Sequence, residues 1–297
     1  MTPYRRALIV GAGPGLGASL ARAFTSEGGM RVAVAARRRE SLEAIAAETG
    51  AAPLVADASN GAAVDALFDA AALALGGAPD VVVYNASQRV RGAFVEIDPE
   101  AVARAVDVTA IAAFRVAQQA VRRMLPERHG AVLFTGASAG VKGYAQSAAF
   151  AMGKFALRGL AQSMARELAP QGIHVAHVVV DGAIRPVGAP NDDQDVQLDP
   201  DAIAATYVHL LAQPRSVWSW EIEVRPWVER FERMSAGPAS EQAADAGLSS
   251  VSCRLKVRSS RPFRRRPSWH ATDRIPLGAP RSAWPVPCWP AGSLLAL

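Results

Sequence analysis

The chain has 297 residues, half of them hydrophobic, and a formal net charge of +5. That length allows one large domain or two small ones, and the apolar half suffices for a sizeable core. The charge is unevenly placed: from Ser235 onward nine basic residues face three acidic ones, so the body is near neutral and lacks the basic clustering of a nucleic-acid binder.

Arg6–Val10 is a short apolar run that stops at glycines, as a buried strand does at a ligand loop. Residues 18–25 then read as a helix, with Leu20, Ala21 and Phe24 at helical spacing. Arg31–Ala36 is a second strand and residues 41–49 a second helix. Residues 52–56 form a third strand ending at Asp57, and residues 62–75 a third helix. Val81–Tyr84 is a fourth strand, ending at Asn85. A long helix over 99–124 closes at Pro126, and residues 131–135 are a fifth strand. Residues 147–168 are helical, with Pro170 and Gly172 as stop signals. Ile173–Val180 is a sixth strand, residues 201–213 a helix, and residues 218–224 a seventh strand. In that last run Trp218, Trp220 and Ile222 alternate with polar residues, which predicts one apolar face near a subunit contact or pocket rim.

Strand and helix alternate throughout. This predicts an α/β fold: one Rossmann-type, doubly wound, parallel seven-stranded sheet with helices on both faces. We expect a nucleotide-binding domain over residues 1–234 and a low-order basic tail over 235–297, where eight prolines and many Arg and Ser residues show no sustained period. Both cysteines, Cys253 and Cys288, lie in the tail, so the body has no disulfide scaffold and no cysteine-ligated metal site. No metal is expected; His174 and His177 lie three apart on a strand and point to opposite faces. The first strand follows Met1 almost directly, and no apolar run is long enough to span a bilayer. The expectation is a cytoplasmic protein with a small-molecule substrate, no membrane partner and no specific nucleic-acid partner.

The glycine-rich turn after the first strand carries the most information. Gly11, Gly15 and Gly17 fit G-x-x-x-G-x-G, with Gly13, Pro14 and Leu16 between them. Glycines let backbone approach a pyrophosphate, and the helix that follows presents free N–H groups and a positive end to it. NAD binders usually place an acid at the end of the second strand, and here that place reads Ala35-Ala36-Arg37-Arg38-Arg39. Arg37 suits a 2′-phosphate, which favours NADP over NAD.

Together, these segments resemble the short-chain dehydrogenase/reductase family across roughly residues 5 to 230. The resemblance implies that Asp57, followed by Ala58, meets the adenine. Asn85-Ala86-Ser87 resembles the family's Asn-Ala-Gly, and Asp181-Gly182 its Pro-Gly. The segment Phe150-Ala151-Met152-Gly153-Lys154 resembles the family's Tyr-x-x-x-Lys helix, so the resemblance makes Lys154 the residue that holds the nicotinamide ribose. It also implies a homodimer or homotetramer through the helices at 99–124 and 147–168. Ala148, Ala149, Ala156, Gly159 and Ala161 would give the second of these a narrow surface.

The departures fall on proton chemistry. Phe150 stands where the family has its tyrosine, Ala137 where it has its serine, and Thr109 where it has its asparagine. Ser138, Tyr144 and Lys154 are then the catalytic candidates. Two readings follow. One is an NADP-dependent oxidoreductase acting on a small carbonyl or alcohol, with a degenerate catalytic tetrad. The other is a catalytically weak or inactive NADP-binding sensor or scaffold.

Overall fold

The computed structural model describes residues 2–190 and 194–228; the predicted low-order tail lies outside the described residues. Seven parallel strands form one sheet in the order β3-β2-β1-β4-β5-β6-β7. They are β1 (Arg6–Val10), β2 (Arg31–Ala36), β3 (Ala52–Val55), β4 (Val81–Tyr84), β5 (Gly130–Thr135), β6 (Ile173–Val180) and β7 (Glu221–Val224). The expected doubly wound architecture is thus present. Strand order reverses between β1 and β4, and ligands bind at the carboxyl ends of strands at such a switch point.

The helices are α1 (Leu16–Ser26), α2 (Arg39–Thr49), α3 (Gly61–Leu75), α4 (Pro99–Val106), α5 (Ala112–Met124), α6 (Ala148–Leu168) and α7 (Pro200–Ala212). Strand residues alternate between two cores. Ala7 and Ile9 of β1 join Leu20, Phe24, Ile203 and Tyr207 on the face covered by α1 and α7. Leu8 and Val10 join Phe68, Val116 and Leu157 on the face covered by α3, α5 and α6. Asp98 caps α4 by accepting from the Glu100 and Ala101 amides, and Asp199 caps α7 through Asp201 N. Each is followed by a proline whose missing N–H costs nothing there, and each cap is worth about 1 kcal/mol.

Three expectations need correction. The helix over 99–124 is not continuous. Asp107–Ile111 forms a π-helical turn between α4 and α5, of a kind frequent at functional sites. The last strand begins at Glu221, and its apolar residues do not share one face with Trp220. Gln213 pins Ser219 through two hydrogen bonds, so Trp220 precedes the strand and packs with the α6 core, while Ile222 and Val224 pack with the other. On α6, Ala149 and Ala161 point into the subunit's own core. Met152, Phe155, Ala156 and Gly159 make up the exposed face instead.

Candidate active site

A cleft of about 500 Å³ opens at the switch point. Gly11, which ends β1, has φ +86°, and a Cβ there would stand 2.3 Å from the Ala86 backbone nitrogen. Only glycine lets the β1 and β4 loops approach so closely. Asn85 Nδ2 donates to Gly11 O at 3.0 Å and ties the two loops together. Gly17 packs as tightly on Ala12 Cα, whereas Gly13 and Gly15 face open space. Leu16 is buried beneath the loop, Pro14 is exposed, and no side chain caps the start of α1.

Gly11, Gly13, Arg37, Asp57, Ala58, Asn85 and Ala86 all line this cleft, brought together from four strand ends. Arg38, Ser41 and Ser59 line it as well, and sequence reasoning did not single them out. Asp57 accepts hydrogen bonds from the Ser59 hydroxyl and amide. Those bonds, helped by Arg37, lower its pKa and keep it ionised. Gly182 lies outside the lining, with φ +158° and a Cβ position blocked by Pro226.

The second part of the site lies on α6. Gly153 lets this helix press on the π-helical turn, since a Cβ would meet Thr109 Cβ at 2.9 Å. Thr109 is buried and its hydroxyl accepts from Gln88 N, so it ties the loop after β4 to the turn. Lys154, one residue after Gly153, is buried and donates to Thr135 O at 2.7 Å. Burial lowers its pKa to about 8. The Phe150 ring centroid is 5.7 Å from Lys154 Nζ. Ala137 is extended and leads into a short turn over Ser138–Gly140, where Ser138 is half-buried beside the end of β5. Tyr144 is exposed, and its ring contact is with Lys142 at 5.6 Å.

The depressed Lys154 pKa has a thermodynamic consequence. The folded state favours the neutral amine, so burying the cation costs stability below pH 8, and the cost fades as pH rises toward the ordinary lysine value. Stability of the native protein relative to Lys154→Met should therefore improve by about 1 kcal/mol between pH 7 and pH 9. Parallel denaturation curves for the two proteins would show Lys154 to be ordinary instead.

A partly buried ionic network joins α6, β6 and β7. Arg158 makes two hydrogen bonds to Glu221, at 2.7 and 2.6 Å, and His177 Nδ1 lies 3.0 Å from the same carboxylate. Burial pushes the Glu221 carboxyl up, but the bonds from Arg158 and His177 outweigh it and the net shift is downward. Burial also lowers the His177 pKa, against the pull of Glu221. A Cβ at Gly136 would strike His177 Nε2 at 2.4 Å, so the ring fixes the glycine that follows β5. Among the described residues no cluster of His, Cys, Asp or Glu could hold a metal, and no helix is long and apolar enough to cross a membrane.

Residues 5–189 match the short chain dehydrogenase family. The chain belongs to that family. A short-chain dehydrogenase from Rhodopseudomonas palustris, 33% identical, superposes with a TM-score of 0.63 over 75% of this chain and all of the other. A metagenomic short-chain oxidoreductase in complex with NADP, 27% identical, gives a TM-score of 0.66 over 76% of this chain and 98% of its own. An uncharacterised oxidoreductase of Staphylococcus aureus strain N315 is 29% identical over 74% of this chain and 96% of its own. The cyclic-di-GMP-binding biofilm dispersal mediator protein of Escherichia coli K12 is 32% identical over 60% of this chain and 72% of its own. Within this short-chain dehydrogenase, the seven-stranded parallel sheet follows the family.

Proposed function

We propose that the chain is an NADP(H)-dependent oxidoreductase acting on a small carbonyl or alcohol. The observation that carries this reading is the cleft, which gathers basic and hydroxyl groups (Arg37, Arg38, Ser41) with the start of the glycine loop, Asn85 and Ala86. The open faces of Gly13 and Gly15 leave room for a pyrophosphate, and the uncapped start of α1 supplies N–H donors to it. The NADP-bound metagenomic relative supports the choice of cofactor. When bound, the nicotinamide supplies or accepts the hydride.

In this reading the chain's own groups bind and orient. Gly11, Gly13, Pro14, Gly15, Leu16 and Gly17 shape the phosphate loop, Asp57 and Ala58 border the adenine, and Gly182 shapes the loop after β6. Lys154 holds the ribose end. Ser138, which follows β5, polarises the substrate oxygen. The test is direct titration with NADPH and NADH, followed by NADPH oxidation against a broad carbonyl panel with Lys154→Ala as the control. Tight NADPH binding with no turnover by either the native protein or Phe150→Tyr would replace this reading with that of a sensor.

We further propose a homo-oligomer with two-fold symmetry. Ile111 and Phe114 around the start of α5, and Met152 and Phe155 on α6, are each about half exposed in the single chain. Large apolar side chains at equivalent positions on two copies can cover one another. Light scattering at micromolar concentration should give at least twice the chain mass, and Phe155→Arg should reduce it. A monomeric mass for the native protein would rule the assembly out.

A further inference from the structure

The loop after β4 carries two arginines, Arg89 and Arg91, and among the described residues no carboxylate pairs with either; only Arg89 is stacked on a ring. Arg89 lies four residues beyond Asn85 and is exposed. Its guanidinium carbon sits 4.9 Å from the centroid of the Phe150 ring. Among the described residues it has no carboxylate partner. Lys154 approaches the same ring, so two cations share the aromatic side chain that stands in place of the family tyrosine. The loop is anchored, because the neighbouring Gln88 amide donates to Thr109 in the π-helical turn that packs on α6.

We infer that Arg89, stacked on Phe150, is the anchor for a carboxylate on the substrate, and that the carbonyl substrate is a 2-oxo acid. The inference deepens the oxidoreductase reading and rests on it. A guanidinium is a permanent cation that holds its protons, so Arg89 cannot take over the missing tyrosine's role as a proton donor. Its planar fork instead matches a carboxylate, with two parallel N–H···O bonds. Phe150 suits this arrangement. Its ring face attracts the cation and fixes its position. A tyrosine there would set a hydroxyl oxygen beside the two cations and compete for the guanidinium; phenylalanine leaves the N–H groups free for a substrate anion. The anchor stands on the loop that begins at Asn85 and Ala86, both of which line the cofactor cleft, so a bound acid would place its carbonyl toward that cleft.

The test is binding rather than turnover. Pyruvate, 2-oxohexanoate and benzoylformate, each paired with its methyl ester, are titrated by calorimetry into the full-length protein saturated with NADP+. At least one acid should bind about tenfold or more tightly than its ester, the size of a charge-assisted pair. In Arg89→Ala the acid should fall to the affinity of the ester, while the ester and NADP+ bind as before. Arg91→Ala, on the same loop, should leave the preference intact. Equal binding of acid and ester, no binding of any acid, or a preference that survives Arg89→Ala would each overturn the inference. If NADP+ itself fails to bind, the oxidoreductase reading falls and takes the inference with it. If NADPH is consumed with neutral ketones and no acid is preferred, the inference alone falls.

Discussion

Replacing Phe150 with tyrosine is expected to raise the rate of neutral-ketone reduction by about 10²–10⁴-fold, the usual contribution of a positioned general acid. A reduced carbonyl leaves charge on oxygen, and some donor must neutralise it. Neither Phe150 nor Ala137 has a hydroxyl to offer. The phenol introduced at 150 would sit one helical turn before Lys154 and beneath the Arg89 guanidinium. Two nearby cations favour the ionised phenol and so lower its pKa toward the working range. Lys154 remains largely charged below pH 8, which places the expected gain at neutral pH rather than in base. For an oxo acid the gain should be smaller, because the new phenol oxygen and the substrate carboxylate would share Arg89. The measurement is kcat/KM for a neutral ketone and an oxo acid, in native protein and Phe150→Tyr. A fall in a robust native activity would show that the native chain uses another donor, and Ser138 would be the next residue to replace.

The parts of this molecule that a sequence reveals are those whose cause is local. β1 is an apolar run that stops at Gly11, and its end can be read because a buried strand and a φ-positive glycine each leave a signature in adjacent residues. Lys154 stands out because lysine is scarce in this chain and this one recurs at a family spacing. The hidden parts have causes that lie far apart in the chain. Arg89 gains its meaning from Phe150, which reaches it only once α6 docks beside the loop after β4. Glu221 looks like an outward polar residue of a short strand, yet Arg158 and His177 converge on it from α6 and β6. The π-helical turn leaves no mark in a run that reads as good helix from Pro99 to Met124. Its partner is Gly153 on another helix, and the packing between them is decided in three dimensions. The start of β7 is hidden for a related reason. The alternation through Trp218 and Trp220 mimics a strand, but the Gln213 side chain holds Ser219 out of register.

NADPH is expected to bind about ten- to a hundred-fold more tightly than NADH, equivalent to ~1.4–3 kcal/mol, and Arg37→Ala should remove most of that difference. β2 ends at Ala36, where a carboxylate would be needed to grip a ribose diol and repel a 2′-phosphate. Arg37 and Arg38 follow instead, and the Ser41 hydroxyl faces the same end of the cleft from the first turn of α2. The nearest acid across that end, Asp57, is already engaged by Ser59, so it offers less competition for the arginines than a free carboxylate would. Arg37 and Arg38 are both exposed, so their attraction for a phosphate is screened by salt. The NADPH preference should therefore shrink between low and high ionic strength, while NADH binding changes little. Arg38→Ala should have a smaller effect than Arg37→Ala, and the double variant should bind the two cofactors alike. Isothermal titration of each protein with NADPH and NADH decides the matter. Equal affinities in the native chain would show that the arginines serve only as a solvated turn, and a preference that survives the double variant would move the phosphate contact to Ser41 and the start of α2.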